Sequence, residues 1–182
     1  SAATDPNRYF GISFDNDAFL SMDYYYTNGI RFEYIHPSLQ HSLLSFLMIP
    51  YKTKSLSYYG LNLVQNMYTP TRLDTTIVLK GDRPFASYLY LGVFKIIFDQ
   101  KNNLKLSSEL DIGVLGPTSL GGYVQSSIHS TEPAGWTNQI NNAMIINYNI
   151  EIEKAFVNSR FFVLNSLSGF QAGTLYDNVY VG

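Results

Sequence analysis

Apolar and polar residues alternate with a period of two along much of the chain. The clearest run covers 104–114. Leu104, Leu106, Leu110, Ile112 and Val114 fall on one side, with Ser108 the only polar member, while Lys105, Ser107, Glu109 and Asp111 fall on the other. A second run sets Ile146, Tyr148, Ile150 and Ile152 against Asn147, Asn149, Glu151 and Glu153. Successive side chains of a strand point to opposite faces, so each run predicts a strand with one apolar and one polar face. Segments at about 8–15, 27–36, 58–68, 85–98, 160–173 and 177–182 read as further strands with less regular alternation, which makes about eight in all. The stretch Tyr88–Phe98 is apolar or aromatic on both faces apart from Gly92 and Lys95, so its inward side needs a covering loop or plug.

The connection at Gln100-Lys101-Asn102-Asn103 is short and polar, as in a hairpin, whereas those at 37–57, 69–84 and 117–141 are long. Alternating short turns and long loops fit a barrel of the outer-membrane type. The first long connection breaks the strand pattern. Leu39, Leu43, Leu44, Leu47 and Met48 fall near helical spacing and Pro50 follows, which predicts a short amphipathic helix. Such a helix can lie in the membrane interface or pack on the barrel mouth.

Composition sharpens this picture. Charged residues make up 14% of the 182, well below the ~25% of an ordinary soluble domain. Aromatic residues reach 15%, with 15 Tyr and 12 Phe but 1 Trp. A soluble β-sandwich or lipocalin-like binder needs more charge on its surface, and a helical membrane protein needs more apolar sequence. No run of 18 apolar residues predicts a transmembrane helix. A net charge of −2 offers no basic excess for phosphates, which argues against nucleic acid as a partner. With no cysteine, disulfides and thiolate metal sites are excluded.

Three polar clusters carry candidate chemistry. Asp15-Asn16-Asp17 closes the first strand, and Asp23 to Gly29 leads into the second. Close-set carboxylate and amide oxygens suit a hard cation, but Asp and Asn also simply end strands and make turns. Lys80-Gly81-Asp82-Arg83-Pro84 precedes the fourth strand; Asp82 and Arg83 can pair locally, or Arg83 can orient a phosphorylated ligand. The third cluster runs from Gly121 to Trp136 and holds His129 and Glu132. A histidine beside a carboxylate can act as a general base, and a loop histidine is equally an ordinary surface residue. His36 and His41 lack such context and read as surface or interface residues. There is no Gly-x-Ser-x-Gly elbow, no His-Glu-x-x-His helix and no phosphate-binding glycine loop.

Six stretches, in order along the chain, resemble the outer-membrane lipid A deacylase family (LpxR-like). They are Ile12-Ser13-Phe14-Asp15-Asn16-Asp17, Tyr26-Thr27-Asn28-Gly29, Met67-Tyr68-Thr69-Pro70, Gly81-Asp82-Arg83-Pro84-Phe85-Ala86, Asp111-Ile112-Gly113-Val114-Leu115-Gly116-Pro117 and Gly135-Trp136-Thr137-Asn138-Gln139-Ile140. The resemblance implies an all-β fold, an antiparallel transmembrane β-barrel of twelve strands, of which this chain supplies about eight, with a short loop helix. It implies the bacterial outer membrane and a hydrolase that removes an ester-linked acyl chain from lipid A, with Ca²⁺ as cofactor. It places the family's catalytic residues on Asn16, Asp17, Thr27, His129 and Glu132, with Asp17 and Glu132 toward the metal. Lipid A (lipopolysaccharide) and outer-membrane lipid are the implied partners.

On this reading residues 1–182 form a single β-barrel domain that is incomplete at its C-terminus. Its open edge is expected to pair with missing C-terminal strands, another copy or a barrel-assembly machine. The alternative is a non-catalytic barrel of the same fold, structural or a substrate or subunit of a barrel-assembly complex. Closure into a regular eight-stranded barrel would contradict the open edge.

Overall fold

A computed structural model describes residues 7–16, 28–52, 54–71, 80–128, 134–158 and 160–182. The chain forms eight strands: β1 (Tyr9–Asn16), β2 (Asn28–Ile35), β3 (Leu56–Tyr68), β4 (Ala86–Asp99), β5 (Leu104–Leu115), β6 (Ala143–Asn158), β7 (Val163–Gly173) and β8 (Asn178–Val181). They form one sheet in sequence order, each antiparallel to the next. These are the eight strands that the alternation predicts, with ends shifted by a few residues. Among the described residues β1 and β8 form no ladder with each other, so both edges of the sheet are open. No helix among the described residues is long and apolar enough to cross a membrane.

Register shows which face meets lipid. Leu63, Leu91, Ile112 and Ile146 lie side by side on β3 to β6 and are 40 to 48% exposed. The next row, Asn62, Gly92, Asp111 and Asn147, is buried. A sheet with its apolar row exposed and its polar row enclosed is a barrel wall seen from lipid and from lumen. The lumen is bridged at one end, where Tyr88 on β4 hydrogen-bonds Tyr176 of the β7–β8 connection at 2.9 Å. Replacing Leu91 with lysine is therefore expected to cost about 2–4 kcal/mol if that row lies at the bilayer midplane. Unfolding from lipid vesicles in guanidinium measures it, and an unchanged midpoint would contradict the lipid-facing assignment.

The segment at 39–49 is not an α-helix. It forms two 3-10 turns, Pro37–His41 and Ser45–Leu47. Pro37 opens the first turn, and the Ser45 hydroxyl turns back to donate to the Ser42 carbonyl at 2.8 Å, so the backbone closes in short i→i+3 steps. His36 Nδ1 caps the first turn by accepting from Ser38 N at 3.2 Å, a structural role.

The chain that follows lies on the outer face of the wall. Lys95 and Ser108 share a row on the outer face, where bare polar groups would meet lipid. Tyr148 Oη donates to the Leu47 carbonyl at 2.7 Å, Ser108 Oγ accepts from Ile49 N at 3.2 Å, and Lys95 Nζ donates to the Ile49 carbonyl at 3.0 Å. Tyr51 Oη donates to Asp99 at 2.7 Å. This strap covers the polar exceptions in the apolar pattern, and Lys95, Asp99 and Ser108 are all buried.

Candidate functional site

Antiparallel order sorts the connections between two rims. Residues 17–27, 69–85, 116–142 and 174–177 join strands at one rim, and 36–55, 100–103 and 159–162 at the other. At the first rim, Asn16, Asn28, Met67 and Ser87 pair in one continuous row across β1 to β4. Met67 and Ser87 belong to the outer parity, and the third loop packs on them.

That loop is built around a helix that the sequence reading missed, α1 (Gly121–Ile128). Gly121, Gly122, Ser126 and Ser127 are poor helix formers, so local propensity gives little sign of it. Tertiary contact supplies the reason. A Cβ on Gly121 would run into the Ser87 side chain and come within 3.1 Å of the Trp136 ring; one on Gly122 would come within 3.2 Å of the same ring. Glycine lets the helix reach the wall. Met67, Phe85 and Trp136 form a buried cluster against which Val124 packs, with the Phe85 and Trp136 rings 5.2 Å apart. Trp136 Nε1 donates to the buried Gln125 Oε1 at 2.5 Å.

Both arms of the loop are tied to the start of β4. Gly116 N donates to the Ser87 carbonyl at 2.8 Å and Ile140 N to the Phe85 carbonyl at 3.0 Å. Ser87 and Ser119 share a hydrogen bond in the buried interior, and Ser119 Oγ bonds the Gly116 carbonyl at 2.7 Å. The third loop is thus a docked cap on the outer wall.

Of the residues that the resemblance assigns to catalysis, Asp17, Thr27, His129 and Glu132 lie outside the described residues. Asn16 is the last residue of β1 and pairs with Asn28. Thr27 directly precedes Asn28, and His129 directly follows α1. The described neighbours of the assigned residues therefore share one rim. Asn28 belongs to the first polar cluster of the sequence but is given no individual role there. It is buried, and its Oδ1 accepts no hydrogen bond from the described residues. An orphaned amide oxygen is a fitting ligand for a hard cation. Among the described residues no three His, Cys, Asp or Glu side chains gather as a metal site.

Asp82, read from the sequence as a local partner of Arg83, ties the two ends of the second loop together. Its carboxylate accepts from Thr71 N at 2.9 Å, Thr71 Oγ1 at 2.6 Å and Arg83 N at 2.8 Å. The Thr71 hydroxyl and amide hold its pKa below the ordinary carboxylate value. A depressed pKa means that this tie is complete at neutral pH and is lost as pH falls through the lowered value. Exchange of the Thr71 amide is expected to gain local opening only in strong acid. Equal protection in Asp82→Asn and the parent at neutral pH would contradict the tie.

A family model described as "Outer membrane protein LpxR" matches residues 1–182. The chain belongs to the LpxR family. No curated protein matches it. A solved structure, "LpxR from Salmonella typhimurium", superposes with a TM-score of 0.70 at 22% sequence identity, covering 93% of this chain and 59% of that one. The chain thus spans about three fifths of that LpxR, and the likeness shows a shared barrel fold. Like its family, this LpxR-type chain is an outer-membrane protein.

Proposed function

We propose that the protein is a lipid A deacylase, an esterase that removes an ester-linked acyl chain by attack of a histidine-activated water. The observation that carries the reading is the docked third loop. Membership of the LpxR family supports a deacylase-like activity, and the loop supplies the local form of a site: α1 held against the outer wall, leading straight into His129, beside the row that contains Asn16 and Asn28. A site on the outside of a barrel near its rim is reachable by a lipid without the lipid leaving the membrane.

In this reading His129 takes the proton of the attacking water, and Asn16 and Thr27 orient water or substrate by hydrogen bonding. Asp17 and Glu132 would hold Ca²⁺, with the orphaned Oδ1 of Asn28 a further oxygen at the same rim. Bound calcium would supply Lewis-acid polarisation of the ester carbonyl. The open edges of β1 and β8 would leave unpaired backbone groups in lipid, so the same reading gives them further strands, or a barrel-assembly machine, as partners.

The test is the mass of lipid A before and after exposure to the full-length parent protein in detergent with Ca²⁺. Loss of one acyl chain is expected. Unchanged acylation by folded protein would overturn the reading and leave the non-catalytic barrel.

A further inference from the structure

The barrel lumen holds a polar cluster that the rim site does not use. Asn62 on β3, Gly92 on β4 and Asp111 on β5 are neighbours in one row, and Glu109 is the next inward residue of β5. This row lies five residues down β3 from Met67, about 17 Å along the strand from the rim. Asn62 Nδ2 donates to Glu109 Oε1 at 2.5 Å, and Asn149 Nδ2 donates to Asp111 Oδ2 at 2.7 Å. Those bonds leave oxygens over. Asn62 Oδ1, Asp111 Oδ1 and Asn149 Oδ1 are buried and accept no hydrogen bond. Asn62 is 1% exposed and Asp111 4%.

Two of these orphans and Glu109 aim at one point. The place that a Cβ on Gly92 would occupy is 2.7 Å from Asp111 Oδ1 and 2.8 Å from Glu109 Oε1, and Asn62 Oδ1 is nearer still. Three electron-rich oxygens facing one another repel unless a cation or a proton shared between Asp111 and Glu109 stands among them. All three are oxygen donors of the kind a hard cation takes, and an ion among them would stand farther from the Gly92 Cα than a Cβ does. Glycine alone leaves the space open, because any side chain at 92 would fill it. Arg31 faces the same lumen; it is ion-paired with Glu33 at 3.5 Å, and its charge also acts on Asp111. A polar cavity of about 280 Å³, lined by Arg31, Tyr90, Glu109, Asn149 and Tyr180 among others, gives a hydrated ion a way to Glu109.

We propose that Asn62, Glu109 and Asp111 bind a hard divalent cation of the calcium class over Gly92, inside the barrel. Lumen water completes its coordination shell, and the ion fastens β3 to β5 through their side chains. This site is separate from the rim and does not rest on the proposed esterase activity.

Terbium, which takes calcium sites and emits when sensitised by tyrosine, is the probe, with Tyr90 lining the adjoining cavity. The experiment uses the detergent-folded protein carrying Asp17→Asn, so that any rim site is disabled, and checks folding by heat-modifiable gel mobility. Tyrosine-sensitised emission that calcium competes away is expected. Adding Asp111→Asn is expected to weaken calcium binding by about ten-fold or more, since affinity follows ligand charge. Adding Asn62→Asp instead is expected to tighten it, which decides the matter should Asp111→Asn fail to fold. Absence of emission and of calcium binding in the Asp17→Asn protein would overturn the proposal, leaving a cluster that shares a proton. So would calcium affinity that neither lumen variant changes.

Discussion

Replacement of His129 with glutamine is expected to lower the rate of lipid A deacylation by about 10²- to 10⁴-fold, the usual contribution of general acid–base catalysis. Glutamine keeps a hydrogen-bonding side chain of similar length but cannot take a proton from water. His129 directly follows α1 in the sequence. The initial rate of acyl loss at saturating calcium, measured by mass spectrometry, gives the number. Heat-modifiable gel mobility gives the fold. A glutamine variant with the full rate would remove His129 from the chemistry, even if lipid A is still the substrate.

A matched loss in Asp17→Asn restored in part by excess calcium would place Asp17 at the metal. The same loss without rescue would place it elsewhere in the site. The lumen variants at Asn62 and Asp111 give an independent axis: they are expected to change calcium binding while lipid A turnover stays at its parent rate.

The wall was legible in the sequence because its physics is local. A strand between lipid and lumen needs period-two alternation, and Leu104 to Val114 show it without tertiary help. Ser108 and Lys95 stood out as exceptions, but their explanation was not local. Their partners in the strap, Met48 and Ile49, are far away in sequence. The helix expected at 39–49 failed because apolar spacing says which residues share a face, not whether Pro37, Ser42 and Ser45 let the backbone close an α-helical turn. The opposite error hid α1. A stretch beginning Gly121-Gly122 reads as a loop until Trp136 and Ser87 are seen to demand residues without a Cβ. At the site, the family resemblance named Asn16 and Thr27, whereas Asn28, inside the same polar cluster, gained a role only from its burial and its unpaired oxygen. The lumen cluster was half visible: Glu109 and Asp111 lay on the polar side of β5, but only the register brings Asn62 and Gly92 beside them.

The second large effect is expected at Trp136. Its ring fills the space between Phe85, Met67 and the two glycines that open α1, and its Nε1 satisfies buried Gln125. Trp136→Ala removes the ring and leaves Gln125 without that donor, at a cost of about 3–5 kcal/mol for the cavity. The cost falls on the docking of the third loop, because the β-ladders at β3 to β6 do not pass through Trp136. Amides of α1 should therefore exchange at least about 100-fold faster, as a 3 kcal/mol loss of local opening free energy requires. Those of β4 and β5 should keep their protection. Trp136→Phe keeps most of the apolar volume and loses only the indole bond, so its effect should be much smaller. If α1 carries His129 into the site, deacylation should fall with the loss of docking, steeply in the alanine variant and mildly in the phenylalanine one. Unchanged exchange in α1 after Trp136→Ala would mean that the ties of Ser87, Ser119 and Gly116 hold the loop by themselves. A loosened helix with an undiminished rate would instead separate the helix from the chemistry, and the docked loop could no longer support the esterase reading.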